Sequence, residues 1–236
     1  MSRPAPDENR EQRRAEIVQA GLAVLEKEGF EKLSLRAIAR EMGVHAPGLY
    51  WYIASKQELV DLLAKAILDE GLAALRPPSP GETWQAWLTA LAVGTRRCLL
   101  AHRDGARVVA SAYMFQTNAV TPMMELALTV LESAGFSERQ AMDGLITVIR
   151  YTMGVALDEQ FSPPLPPVLP HDGQAAPHGG PPIDAERYPR LAAAFAGYFT
   201  EIMDDLAYGG DRHFVRGIEV IIRGMEFGAS GGAASA

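Results

Sequence analysis

Apolar side chains recur three and four residues apart along most of the 236-residue chain, and no stretch alternates with the two-residue period of a strand. Ile17, Gly21, Val24 and Leu25 mark the inner face of a first helix, which Gly29 is placed to end. Ser34 is an N-cap for a second helix with Leu35, Ile38, Ala39 and Met42 on one face, and Gly43 breaks it. A short third helix follows from Ala46 to about Ile53. Ser55-Lys56-Gln57-Glu58 has the form of a capping box. It opens a fourth helix with Leu59, Leu62, Leu63, Ala66 and Ile67 aligned, which stops before Pro77-Pro78. Further helices are predicted over 83–102, briefly near 103–109, over 121–133, and over 138–158, the last introduced by Ser137 and Gln140. Segment 161–182 is dense in proline and is expected to be a mobile loop or an extended stretch. Two helices close the pattern, over 185–208 and over 212–227 with Asp211 as cap; the Gly/Ala/Ser tail 228–236 is expected to be disordered. The fold class is all-α.

Residues 34–53 are the informative part: a short amphipathic helix, a glycine turn and a second short helix, the pattern of a helix-turn-helix. Ile38, Val44 and Leu49 are placed to lock its two helices together. Tyr50, Trp51 and Tyr52 are consecutive, so they must point to different sides, and some ring is exposed beside Arg36 and Lys56, as a DNA backbone and thymine methyls would require. By spacing alone, a helix-turn-helix and two ordinary bundle helices stand on equal terms.

The formal net charge of −7 argues against a non-specific nucleic-acid binder. It is unevenly spread: residues 1–56 carry +1 and the rest −8, so a small module presenting its cations on one face remains open. No apolar run reaches the ~18 residues of a membrane span. Met1 to Arg14 has no signal-peptide character, and the single cysteine, Cys98, allows no internal disulfide, so the cytoplasm is the expected compartment and no membrane partner is expected. His45, His102, His171, His178 and His213 show no metal-ligand spacing, and neither a metal nor a cofactor is called for. His102-Arg103-Asp104 could be mistaken for a catalytic triplet. No nucleophile or phosphate motif accompanies it; a structural helix junction is the expectation, and no enzyme is.

The string Leu33-Ser34-Leu35-Arg36-Ala37-Ile38-Ala39, then Gly43-Val44, Leu49-Tyr50-Trp51-Tyr52 and Ser55-Lys56, resembles the DNA-binding signature of the TetR family. Likeness to the tetracycline-repressor branch continues through Gly81-Glu82-Thr83-Trp84-Gln85, His102-Arg103-Asp104-Gly105-Ala106, Gly135-Phe136-Ser137 and 217–226, and so spans roughly residues 15–227 in order. The resemblance implies a homodimer of nine- or ten-helix chains. Residues 1–56 would form a three-helix DNA-binding domain and 57–227 a larger ligand-binding and dimerisation domain. It carries DNA contact onto Ser34 and Arg36 at the second helix, onto Ala46, Pro47, Gly48, Tyr50 and Tyr52 in the recognition helix, and onto Lys56 as a phosphate contact at a helix N-terminus. His45 either adds a contact or is a solvated turn residue. Ala46 and Gly48 stand where the tetracycline-repressor branch has polar residues, so a different operator is expected.

In that branch a drug enters as a magnesium chelate held by a histidine; here that position is Val109, although the assisting carboxylate is present as Asp158. Leu72, Leu91, Ala112 and Tyr113 replace further polar drug contacts, Glu125 replaces a glutamine, and Arg150 stands where another histidine would be. With Thr95, Met114, Met142 and Leu145 these imply a largely apolar ligand site. Phe214, Ile218, Ile221, Ile222 and Met225 form an apolar stripe which the resemblance assigns to a four-helix dimer interface. The expected function is that of a repressor on a palindromic double-stranded DNA operator, released by a small, relatively apolar effector. An activator, or a helical scaffold that does not bind DNA, are the alternatives.

Overall fold

The computed structural model describes residues 6–113, 118–161, 183–207 and 211–232. Among them every regular element is helical: α1 (Pro6–Glu28), α2 (Leu35–Met42), α3 (Lys56–Leu72), α4 (Trp84–Leu100), α5 (Gly105–Ala110), α6 (Thr121–Ser133), α7 (Glu138–Phe161), α8 (Pro189–Ala207) and α9 (Asp211–Gly232), with 3-10 turns at Phe30–Lys32 and Ala46–Trp51.

The front end is built by caps. Ser34 Oγ accepts the Ala37 N–H at 3.2 Å and starts α2. Gly43 ends it at φ 66°, a left-handed conformation that glycine adopts without steric cost, and Val44 N–H then reaches back to the Ala39 carbonyl. Half of the box at α3 closes as expected, with Ser55 Oγ accepting Glu58 N–H; the Glu58 carboxylate reaches one residue further back and accepts Ala54 N–H. Arg14 of α1 adds a bond to Glu58 at 2.6 Å and another to the Tyr52 carbonyl at 2.7 Å, fastening α1 to the start of α3. Burial pushes the Glu58 carboxyl up, but the Ala54 N–H and the Arg14 and Arg10 charges outweigh it and hold it below the ordinary range. Ile38 and Leu49 lock the helix-turn-helix together with Ile53, all at most 1 % exposed. Val44, expected to join them, is instead an exposed residue of the turn.

Two apolar cores run side by side. The first joins α1, α2, the Ala46–Trp51 turn and α3 to Cys98, Leu99, Val108, Val109 and Ala156, so it continues across the 56/57 boundary between the expected domains. The second joins α4, α6, α7 and α9 around Trp87, Leu88, Leu131, Leu145 and Phe214. The α3–α4 crossing depends on Gly71, where a Cβ would lie 2.1 Å from Cys98 Sγ. Arg96 is a buried cation, 3 % exposed, between the layers. It makes a two-pronged bond to Glu159 of α7 at 2.9 and 2.7 Å, another to Asp211 of α9 at 2.8 Å, and lies over the Phe214 ring. Such full pairing is what makes a desolvated charge tolerable.

Later boundaries depart from the sequence expectation for local reasons. Asp104 is left-handed (φ 56°), so α5 begins only at Gly105. Asp184 closes a turn over the N–H groups of Glu186 and Arg187, and α8 begins at Pro189 rather than near 185. Asp211 does not cap α9; its carboxylate is held by Arg96 and Arg97, and Asp205 of α8 accepts the Arg212 and His213 N–H groups in its place. α9 continues to Gly232, so the tail 228–236, read from sequence as disordered, starts as helix. Residues 233–236 and 162–182 lie outside the described residues.

Candidate DNA-reading surface and effector groove

In a 3-10 helix, side chains three apart eclipse one another. Ala46–Trp51 therefore presents three ridges. Ala46, Leu49 and Tyr52 form the inner one, with Leu49 buried and the other two packed partly against the first core. Pro47 and Tyr50 form a second, exposed ridge. Gly48 and Trp51 form the third, and Trp51 is 84 % exposed. The residues expected from sequence to contact DNA include Tyr52, which is half-buried, and leave out Trp51, the more exposed ring. Arg36 on α2 and Lys56 at the first position of α3 are exposed; the Lys56 ammonium lies 5.4 Å from the Phe30 ring centre. His45 is exposed, and Ser34 is half-buried at its capping task. The module's acids are tied to neighbouring cations: Glu16 to Arg13, Glu28 to Arg40, Glu41 to Lys27 and Glu58 to Arg14.

Behind α3, apolar recesses open on either side of Leu72 and Leu75. One, of about 220 Å3, lies against α4 and is walled by Gly71, Trp87, Ala90, Leu91 and Gly94, with Arg76 and Glu82 at its edge. The other, of about 410 Å3, lies against α6 and is walled by Leu68, Ala119, Pro122, Met123 and Leu126, with Asp69 at its edge. Of the lining residues expected from sequence, Leu72 and Leu91 meet in the first recess, and Thr95 stands one turn beyond, its hydroxyl donating to the Leu91 carbonyl. Val109 and Leu145 are core residues, 3 % and 0 % exposed, and Ala112 packs partly against the first core. Tyr113, Glu125, Met142, Arg150 and Asp158 are exposed and line neither recess; Met114 lies outside the described residues. Leu68, Leu75, Met123 and Leu126 were missed, since an apolar residue facing a groove has the same helical spacing as one facing a core.

The DNA module and the rest of the chain meet at His102-Arg103-Asp104. Arg103 donates to the Glu26 and Lys27 carbonyls that end α1, and His102 stands 3.2 Å from Glu26 and from Glu70. Asp104 accepts the Phe30 N–H at 2.8 Å. From the other side, Gln160 of α7 donates to the Leu99 and His102 carbonyls and accepts the Ala106 N–H. The triplet is a helix junction, as its sequence context suggested.

On α9 the apolar stripe divides. Phe214, Ile218 and Ile222 are buried inside the chain, where Phe214 stacks on Tyr151 of α7 at 5.5 Å. Ile221 and Met225 are partly covered. The outward face carries Val220 and Phe227, 68 % and 84 % exposed. Three of the five residues expected at a dimer seam thus belong to the monomer core, because the stripe is wide enough to serve two faces. Among the described residues no three His, Cys, Asp or Glu side chains cluster as a metal site, and no helix is long and apolar enough to cross a membrane.

The described residues form an all-helical fold with a helix-turn-helix at its front and apolar recesses behind it, and family comparison says what kind of protein this is. Residues 17–63 match the model of the bacterial regulatory proteins of the tetR family, and residues 77–228 that of the tetracyclin repressor-like C-terminal domain; the chain belongs to this family of transcriptional regulators, with a DNA-binding and a ligand-binding domain. The tetracycline repressor protein class A from transposon 1721 of Escherichia coli is 34 % identical over 212 residues, 89 % of this chain and 88 % of that protein. The crystal structure of apo ActR from Streptomyces coelicolor superposes with a TM-score of 0.73 at 28 % identity, covering 93 % of this chain and 97 % of that one. BioQ with its double-stranded DNA operator superposes with a TM-score of 0.56 at 29 % identity, covering 63 % and 88 %.

Proposed function

We propose that the protein is a cytoplasmic repressor that acts as a homodimer, binds a pseudo-palindromic operator when unliganded, and leaves it when a small, relatively apolar molecule enters the recesses beside Leu72 and Leu75. It acts by binding, without turnover. The observation that carries this reading is the recognition turn, with its exposed Pro47/Tyr50 and Gly48/Trp51 ridges and the exposed Arg36 and Lys56 on the helices before and after it. Two such turns in a dimer would enter successive major grooves ~34–36 Å apart. The outward α9 face at Val220 and Phe227 is the dimer surface in this reading, joined by the partly covered Ile221 and Met225. Residues 1–56 read DNA, with α3 shared between the two tasks. Ligand in the recesses would bear on the end of α3, whose start carries Lys56, so a shift of α3 changes the spacing of the recognition turns. BioQ was solved with its DNA operator, which supports assigning the same kind of target here.

Selection of random duplexes by the purified protein, followed by a release screen with apolar compounds, tests the proposal. The expected outcome is enrichment of a two-fold-related site and its release by at least one compound. Failure to enrich any duplex would overturn it.

A further inference from the structure

Gly48 has no reason in the fold to be glycine. Its φ is not positive, and a Cβ built there meets nothing within 4 Å. Glycine inside a short helical segment is disfavoured against alanine. The missing side chain leaves the floor of a surface notch open, about 360 Å3 in volume, with Val44, His45, Trp51 and Arg13 around it. Two further oddities meet Gly48 at this notch. Val44 is an apolar residue exposed in the helix-turn-helix, Trp51 is the most exposed large ring of the module, and Gly48 lies directly below Trp51 on one 3-10 ridge. Among the described residues the guanidinium of Arg13 pairs with Glu16, in a surface pair of the kind worth little and readily exchanged for another anion.

We infer that this notch seats one deoxyribose-phosphate unit of the operator. The sugar lies against Val44 and under the Trp51 indole, over the bare Gly48 backbone, and the phosphate takes Arg13 from Glu16. Apolar walls with a cation at the rim match the two halves of that unit, and the gap at Gly48 lets the strand approach the recognition turn closely. The inference rests on the DNA-binding reading above and extends it to Arg13 and Val44. A contact of this kind positions the protein and carries no sequence information. Loss of it therefore lowers affinity for the operator and for unrelated duplexes alike.

The test uses the duplex selected by the parent protein and a scrambled duplex of equal length. Gly48→Thr, Gly48→Ala and Arg13→Gln are compared with the parent by fluorescence anisotropy over a salt series, with thermal unfolding alongside. Expected are unfolding midpoints at or above the parent's for both Gly48 variants, at least tenfold weaker binding of both duplexes by Gly48→Thr, and a smaller loss for Gly48→Ala. Arg13→Gln should bind more weakly with a salt slope shallower by about one. Parent-like affinity in Gly48→Thr overturns the proposal. A loss confined to the selected operator also overturns it, since that would mean a base edge and not the backbone lies in the notch. Should Gly48→Thr fail to fold, Gly48→Ala and Arg13→Gln decide by the same criteria. If the parent itself enriches no duplex, the DNA reading beneath the proposal falls with it.

Discussion

Asp104 performs two tasks at the junction, and substitution separates them. Its carboxylate accepts the Phe30 N–H at 2.8 Å, and its backbone is left-handed at φ 56°. A hydrogen bond to a charged group contributes ~1.5–3 kcal/mol, and partial exposure favours the lower end here. A side chain without a local polar group costs ~1–2 kcal/mol in the left-handed region, which Asp and Asn tolerate and Gly occupies freely. Asp104→Ala therefore loses both and should destabilise by about 3 kcal/mol. Asp104→Gly loses only the bond, roughly 1.5–2 kcal/mol, and Asp104→Asn, which keeps an acceptor and the backbone tolerance, under about 1 kcal/mol. Urea unfolding followed by tryptophan fluorescence measures the series, with the slope m expected to stay constant. The order Asn, Gly, Ala is the decisive result. If glycine is as damaging as alanine, the backbone contribution is wrong. If all three match the parent, the bond to Phe30 contributes nothing.

Four further outcomes are expected. Arg96→Met leaves Glu159 and Asp211 without their buried partner; because both carboxylates are partly wet, the loss should be about 2–4 kcal/mol in urea unfolding, and a change below about 1 kcal/mol would refute the role of Arg96. Burial pushes the Cys98 thiol up to about 11, with only a partial offset from the Gly71 backbone, so at pH 8 its thiolate fraction falls roughly 100-fold below that of an unfolded chain. Disulfide-exchange labelling should then report unfolding only, and because the folded value is the higher one, this group's stabilisation is full below pH 9.0 and declines as pH rises towards 11. Val220→Asp should give a helical monomer in sedimentation, whereas Ile222→Asp should destabilise the chain itself; an unchanged dimer in Val220→Asp removes that face from the interface. Magnesium-tetracycline should bind weakly or not at all in calorimetry, since buried Val109 and the apolar Leu72 and Leu91 offer no metal ligand and no drug hydrogen bonds; tight, magnesium-dependent binding would contradict this.

Much of what depends on neighbours along the chain was legible in the sequence, though the left-handed Asp104 and the turn at Asp184 were not. The N-caps at Ser55 and Ser34, the glycine stop at Gly43 and the span of α6 could be read directly, because capping and helical period are set by residues within about one turn of each other. The helix-turn-helix was one of two readings open to spacing, and the family resemblance decided for it and singled out Arg36 and Lys56. What the sequence could not assign was the direction in which a shared pattern faces. Phe214 and Ile218 have the same spacing as a dimer seam, yet they fill the core against α7. Leu68 and Met123 are core residues, as their spacing suggests, and wall a recess as well. Asp211 looked like a cap until Arg96, 115 residues away, took its carboxylate and Asp205 replaced it. The segment 46–51, read as a short α-helix, is a 3-10 turn with Trp51 exposed and Tyr52 half-buried. In each case the deciding partner is distant in sequence or the local period differs from 3.6, and both are settled only when the helices pack.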